Sequence, residues 1–184
     1  MLMNRARATL LVVDVQEKLL PAIDGAEALA ARLAWLVEAA NDCDLPVVFS
    51  EQYPQGLGPT IAALKALAPA AQTVDKLHFS CTAAGCLPAG LLARKQVIVC
   101  GMETHVCVLQ TVLGLLQLGK QVFVVADAVG SRADSDKALG LQRMRDAGAV
   151  LVSREMVLFE MLEKSGSEHF KAMSRKYLQG ARPA

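Results

Sequence analysis

Aromatic side chains are scarce in this sequence of 184 residues, at 4%, although 53% of the chain is hydrophobic. The apolar excess is therefore largely alanine, leucine and valine, a composition that suits an α/β core. Long apolar runs are missing too. The stretches 9–13 and 97–100 are strand-length and fall short of the roughly 20 residues that span a bilayer, which excludes a transmembrane helix and makes a membrane an unexpected partner. Nor is there an excess charge of one sign. Nineteen basic residues face eighteen acidic ones without a dense basic run, so no nucleic-acid partner is expected. Residues 1–8 are short and basic and lack an apolar region followed by a small-residue cleavage site, so the expected location is cytoplasmic. Five cysteines at irregular spacings, with no C-x-x-C pair, give neither a disulfide framework nor a zinc or redox motif, and a reducing compartment leaves them as thiols.

The length fits one domain, 1–184, whose folding removes about 70% of the unfolded chain's surface from water, and no repeat or linker divides it. Residues 9–15 read as a strand buried on both faces, since they show no polar alternation. Further strands are expected at 45–50, 73–76, 96–100, 121–126 and 149–152, with helices near 27–42, 60–67, 87–93, 105–118 and 135–147. Gly119 and Gly148 fall where helix C-caps belong. This alternation predicts a three-layer α/β fold around a mainly parallel, six-stranded sheet with right-handed crossovers. Pro54, Gly56, Gly58 and Pro59 predict an irregular, rigid loop over 51–59 that can border a pocket, and 165–178 could form an amphipathic helix packed on the body or on another subunit.

In open α/β sheets ligands bind outside the carboxyl ends of the strands. Those ends carry Asp14, Glu51 and Gln52, Lys76, the segment 101–107, and Asp127. Cys107 is placed in the first turn of a helix, where exposed N–H groups and a neighbouring lysine would favour a thiolate. Each residue also has a plainer reading. Cys107 could be a small core residue, Asp14 could cap a helix with Glu17 in a D-x-x-E pattern, and Lys76 could be a solvated strand end whose loss costs little stability. Among the histidines, His105 precedes Cys107 by two helical positions and points away from it; His78 is a weaker competitor as a base, and His169 reads as surface.

Asp14, Lys76 and Cys107, in that chain order on successive strand ends, resemble the triad of the isochorismatase-like hydrolases. Leu11-Val12-Val13-Asp14-Val15-Gln16 is similar to the family's first strand, Lys76-Leu77-His78-Phe79-Ser80 to its lysine motif, and Gly101-Met102-Glu103-Thr104-His105-Val106-Cys107-Val108 to its nucleophile motif. Ala126-Asp127-Ala128 and Ser131-Arg132 are also family-like, and Glu51-Gln52-Tyr53-Pro54-Gln55-Gly56-Leu57-Gly58 looks most like the isochorismatase domain-containing subgroup.

The resemblance implies a Rossmann-like hydrolase fold and a cysteine hydrolase that cleaves a small amide or carbamoyl C–N bond through a thioester. It also implies a non-proline cis peptide between Met102 and Glu103, turning the Glu103 N–H toward the Cys107 N–H as an oxyanion hole. Gln16, Gln52, Tyr53 and His105 become candidate substrate contacts. The family's nicotinamidase branch holds a metal with an Asp and two His after its second strand. Here that position reads Ser50-Glu51-Gln52-Tyr53, so no metal and no cofactor are expected. The partners expected are a small-molecule substrate and further copies of the chain as a homo-oligomer. The alternatives are a vinyl-ether hydrolase of the isochorismate type, which the cysteine at 107 disfavours, and a non-catalytic module that binds a metabolite or senses redox state.

Overall fold

In the computed structural model, which describes residues 1–179, six parallel strands form one sheet in the order β3-β2-β1-β4-β5-β6. The strands are β1 (Ala8–Val13), β2 (Val47–Gln52), β3 (Gln72–Lys76), β4 (Gln96–Met102), β5 (Gln121–Gly130) and β6 (Val150–Val152). The sheet is therefore parallel throughout. All six expected strand positions shift by one to four residues at one or both ends, the largest change being β5, which runs on to Gly130.

Alternate residues of β1 explain the layers. Leu10 and Val12 enter one apolar cluster with Leu29, Leu33 and Leu36 of α1 (Ala26–Asp42), whereas Leu11 and Val13 enter a second with Leu91, Leu109, Val112 and Leu115. A strand buried on both faces needs apolar side chains at both parities, which is why β1 reads as a continuous hydrophobic run. The first cluster also receives Leu64 of α3 (Ala62–Leu67) and Val157 and Leu158 of α7 (Arg154–Leu162). The second is covered by α4 (Ala89–Ala93), α5 (Leu109–Gln117) and α6 (Asp134–Asp146). Among the described residues no helix is long and apolar enough to cross a membrane.

Several local expectations change. Residues 54–57 are not wholly irregular: Pro54–Leu57 closes one helical turn, α2, with proline where its missing N–H costs nothing. The helix α7 has no counterpart in the sequence reading, although its signal is present in Ser153, whose hydroxyl accepts from the Met156 N–H at 3.2 Å. Over the tail, α8 (Glu168–Met173) continues into a wide π turn at Ser174–Leu178 that buries Tyr177. No helix begins at Asp14, and the chain instead leaves β1 through a loop to a 3-10 turn at Leu20–Ala22.

The strand order reverses between β1 and β4, which opens a crevice at their carboxyl ends. There Gly101 lies directly beside Val13, with φ of +120°. A Cβ at Gly101 would stand 2.2 Å from the Val13 carbonyl oxygen. Backbone cannot retreat as a flexible side chain can. Gly101→Ala is therefore expected to destabilise the fold by about 3 kcal/mol or more, read as a drop in the urea midpoint, while Gly148→Ala, with open space around it, should cost only its backbone strain.

Candidate active site

Three residues at the crevice leave their strands through left-handed backbone: Asp14 after β1 (φ 54°), Tyr53 after β2 (φ 40°) and Glu103 after β4 (φ 49°). Each turns the chain sharply, a conformation that costs non-glycine residues of order 1–3 kcal/mol and tends to gather at functional sites. Glu103 makes this turn with a trans peptide. The described residues contain no cis bond, so the cis link expected between Met102 and Glu103 is absent and the left-handed residue redirects the chain in its place.

Asp14 and Lys76 form a buried ion pair. The Lys76 Nζ donates to Asp14 Oδ2 at 2.7 Å, and both side chains are fully shielded from solvent. Lys76 is thus no solvated strand end, because the register of β3 on β2 carries its side chain inward. The Ser50 hydroxyl, beside Val13 on the adjoining strand, donates to Asp14 Oδ1 at 2.7 Å. Gln52 Oε1 accepts from Lys76 Nζ at 2.8 Å, and Gln52 Nε2 donates to the Leu77 carbonyl at 2.8 Å. Both carboxylate oxygens and two of the three ammonium donors are thereby satisfied, as buried charges require.

Cys107 meets this pair. Its thiol lies close enough to Asp14 and Lys76 for both charges to act on it. The residue sits in a single π turn, Thr104–Val108, ahead of α5, and not in the first turn of an α-helix as its sequence suggests. Val106 and Val108 both donate their N–H to the Glu103 carbonyl, at 3.0 and 3.2 Å. Such a wide turn inserts an extra residue and is frequent at functional sites.

The electrostatics differ from the expected ready-made thiolate. Burial pushes the Cys107 thiol up, the Asp14 charge pushes it further, and the opposing pull of Lys76 does not compensate. Free Cys107 is therefore a thiol at neutral pH. Burial alone would lower Lys76, but attraction to Asp14 and Cys107 outweighs it and raises the ammonium above its ordinary value.

The other candidate contacts separate. Gln16 is fully buried and committed to backbone: its Nε2 donates to the carbonyls of Gln52 (2.9 Å) and Gly58 (2.7 Å), and its Oε1 accepts from the Gln52 N–H at 2.7 Å. It braces the loop and has no group left to face a substrate. Gln52 orients Lys76. Tyr53 is exposed on the rim, over Gly56. His105 turns away to Ser131 Oγ at 3.0 Å and to Glu103 and Asp136, so it belongs to the packing of α6 and not to the crevice. The Glu103 carboxylate likewise leaves the crevice for Arg132, at 2.8 Å. His78 is exposed, and Asp127 is taken up by the Arg154 N–H at 2.9 Å. Sequence reasoning passed over Ser50, whose one signal is a hydroxyl closing the otherwise apolar run Val47-Val48-Phe49.

A parallel α/β sheet whose switch point gathers a buried carboxylate, an ammonium and a thiol is the architecture of a Rossmann-like hydrolase fold. The chain belongs to the isochorismatase family, the Isochorismatase domain matching residues 8–156. Within it the chain falls in the isochorismatase domain-containing group: it is 37% identical to isochorismatase domain-containing protein 2A of Mus musculus over 169 residues, covering 90% of this chain and 80% of that one. Among solved structures, the MAR1 ribonuclease of Caenorhabditis elegans superposes with a TM-score of 0.91 at 34% identity, covering 100% of this chain and 95% of that one. YcaC from Pseudomonas aeruginosa, solved with hexane-2,5-diol and covalent acrylamide, matches at 0.82 and 26%, covering 96% and 92%. The Escherichia coli YcaC, described as an octameric hydrolase of unknown specificity, matches at 0.77 and 26%, covering 89% and 83%.

Lys76→Met leaves the Asp14 charge buried without its partner, which should cost about 3–5 kcal/mol at neutral pH. Because the folded ammonium titrates above the ordinary 10.5, its contribution is complete below that pH and is lost as pH rises through the folded value. Urea unfolding of wild type and variant should show a constant gap near neutrality that narrows at strongly alkaline pH. A Lys76→Met protein as stable as wild type would contradict the pair's role.

Proposed function

We propose that this protein is a cysteine hydrolase acting on small amides or carbamoyl compounds, with Asp14, Lys76 and Cys107 as its catalytic residues. The observation that carries the reading is the buried Asp14–Lys76 ion pair at the switch point of the sheet, with the Cys107 thiol close enough for both charges to act on it. Asp14 takes the Cys107 proton as the sulfur attacks the substrate's carbonyl carbon, and Lys76 holds the charge that shifts onto the site. The Cys107 N–H is the proposed oxyanion donor; the Glu103 N–H, whose turn toward it was tied to a cis bond that the structure lacks, is not assigned this role. As the tetrahedral intermediate collapses to a thioester, Asp14 gives its proton to the departing amine. It then removes a proton from the water that hydrolyses the thioester and returns that proton to the expelled Cys107 sulfur. Family membership supports a hydrolase, and the covalent acrylamide of the P. aeruginosa relative, a small amide, supports a nucleophile of this kind.

The raised thiol gives this mechanism a distinct signature: the nucleophile is made on demand when Asp14 accepts its proton, and is not stored as thiolate. Alkylation of Cys107 by iodoacetamide in the free protein should therefore be slow at pH 7 and climb through the alkaline range. A plateau already reached near neutrality would contradict it.

Incubation of purified protein with a library of small amides, followed by intact-mass spectrometry, tests the function. A mass increase on the Cys107 peptide, absent from Cys107→Ala, is expected, and Asp14→Asn should slow its formation by about 10²–10⁴-fold. Turnover that survives Cys107→Ser would favour vinyl-ether cleavage, and the absence of both adduct and turnover would favour a metabolite-binding or redox-sensing module.

The same proposal places the chain in the cytoplasm as a homo-oligomer. Leu77 and Phe79, 74% and 52% exposed beside the crevice, form an apolar rim suited to a second copy, and the E. coli relative is octameric. Light scattering should give a multiple of the 19.6 kDa chain mass.

A further inference from the structure

Beyond Lys76 the chain makes a compact turn over residues 80–86 before it enters α4. Cys81 is fully buried within it, with its N–H donating to the Thr111 hydroxyl of α5 at 3.1 Å. Cys86 lies at the surface end, half-buried. Its N–H and its thiol both reach the Cys81 carbonyl, at 3.3 and 3.5 Å. That double closure sets the Cys86 sulfur against the Cys81 backbone, and the two thiols act on each other's titration.

No other cysteine in the described residues resembles Cys81. Burial pushes Cys43 up to about 11 and raises Cys100 and Cys107 as well. Cys81 is instead drawn down to about 7, first by Cys86 and then by Lys76, against its burial. Cys86 is raised in turn. Near neutral pH the two sulfurs hold one proton between them, so the titration belongs to the pair.

We propose that Cys81 and Cys86 are a reversible dithiol–disulfide pair, a modification site next to the Asp14–Lys76–Cys107 cluster but separate from it. Three things that favour exchange are present: two cysteines closed on each other across one turn, one of them reaching the surface, and a coupled titration that leaves one thiolate near neutral pH. With a low-molecular-weight disulfide such as oxidised glutathione, the shared proton moves to Cys81 and the outer Cys86 thiolate attacks one glutathione sulfur. One glutathione thiolate leaves. Cys81 then gives up the proton and attacks the Cys86 sulfur, expelling the second. The two cysteines are oxidised to one disulfide and the glutathione disulfide is reduced to two glutathione thiols, one taking the pair's proton and the other a proton from water. Reduced glutathione reverses both steps. The proposal does not depend on the hydrolase reading.

The test uses the full-length wild-type protein, reduced, then equilibrated in buffers of increasing oxidised-to-reduced glutathione ratio and quenched by denaturation with iodoacetamide. Trypsin cuts after Lys76 and Arg94, so both cysteines emerge in one peptide. That peptide is expected to lose both alkylation sites and to become lighter by two hydrogens than the dithiol form, reverting as the ratio is lowered. Cys107 should remain alkylated throughout. In Cys86→Ser the lighter peptide should disappear and Cys81 should be alkylated. In Cys81→Ser, Cys86 should stop at the mixed glutathione disulfide. A stable mixed disulfide on wild-type Cys86, a cross-link between the Cys81 and Cys107 peptides, or full alkylation of both cysteines in oxidising buffer would each overturn the proposal.

Discussion

The arrangement of the crevice depends on one buried ion pair, Lys76 Nζ to Asp14 Oδ2. Removing both charges from water costs several kcal/mol per ion even after relaxation, and the mutual attraction offsets that only when the remaining polar atoms are matched. Ser50 and Gln52 supply the match from β2, the strand between the two partners. Gln16 and Glu51 then hold the following loop in place, the latter accepting from the Thr60 N–H at 2.7 Å and from Lys65 at 3.0 Å. Three neighbouring strands are tied together by polar contacts at the end where the apolar core stops.

The fourth strand contributes by shape. Gly101 lets β4 lie against the Val13 backbone, and the left-handed Glu103 starts the π turn that carries Cys107 back over Asp14. Strain at Asp14, Tyr53 and Glu103 is concentrated on one side of the molecule, and the strands beneath them are among its most completely buried segments. A rigid base of that kind allows unfavourable backbone to persist at a crevice.

Much of this was legible in the residues. Unbroken apolar strands announced a parallel sheet, because burial on both faces leaves no alternation to hide, and strand ends then narrowed the search to a few polar side chains. What could not be read was the company each residue keeps. Ser50 looks like any serine until the register of β1 on β2 places it beside Asp14. The state of the Cys107 thiol escapes the sequence for a related reason: helix position and a lysine are visible there, whereas the opposing burial and the nearby carboxylate charge arise only on folding. Gln16 and His105 show the same limit, since chain neighbourhood suggested the crevice and hydrogen bonding commits them elsewhere.

The edge strand β3 gives the ion pair a mechanical meaning. It pairs with β2 alone, and Lys76 is its one buried residue. An edge with little apolar grip is held at its carboxyl end by charge, so the contact that organises the crevice is also the latch that keeps the strand closed. Whatever draws Lys76 from Asp14 frees the adjoining turn at the same moment, and the local breathing of this edge and the electrical state of the crevice become a single degree of freedom.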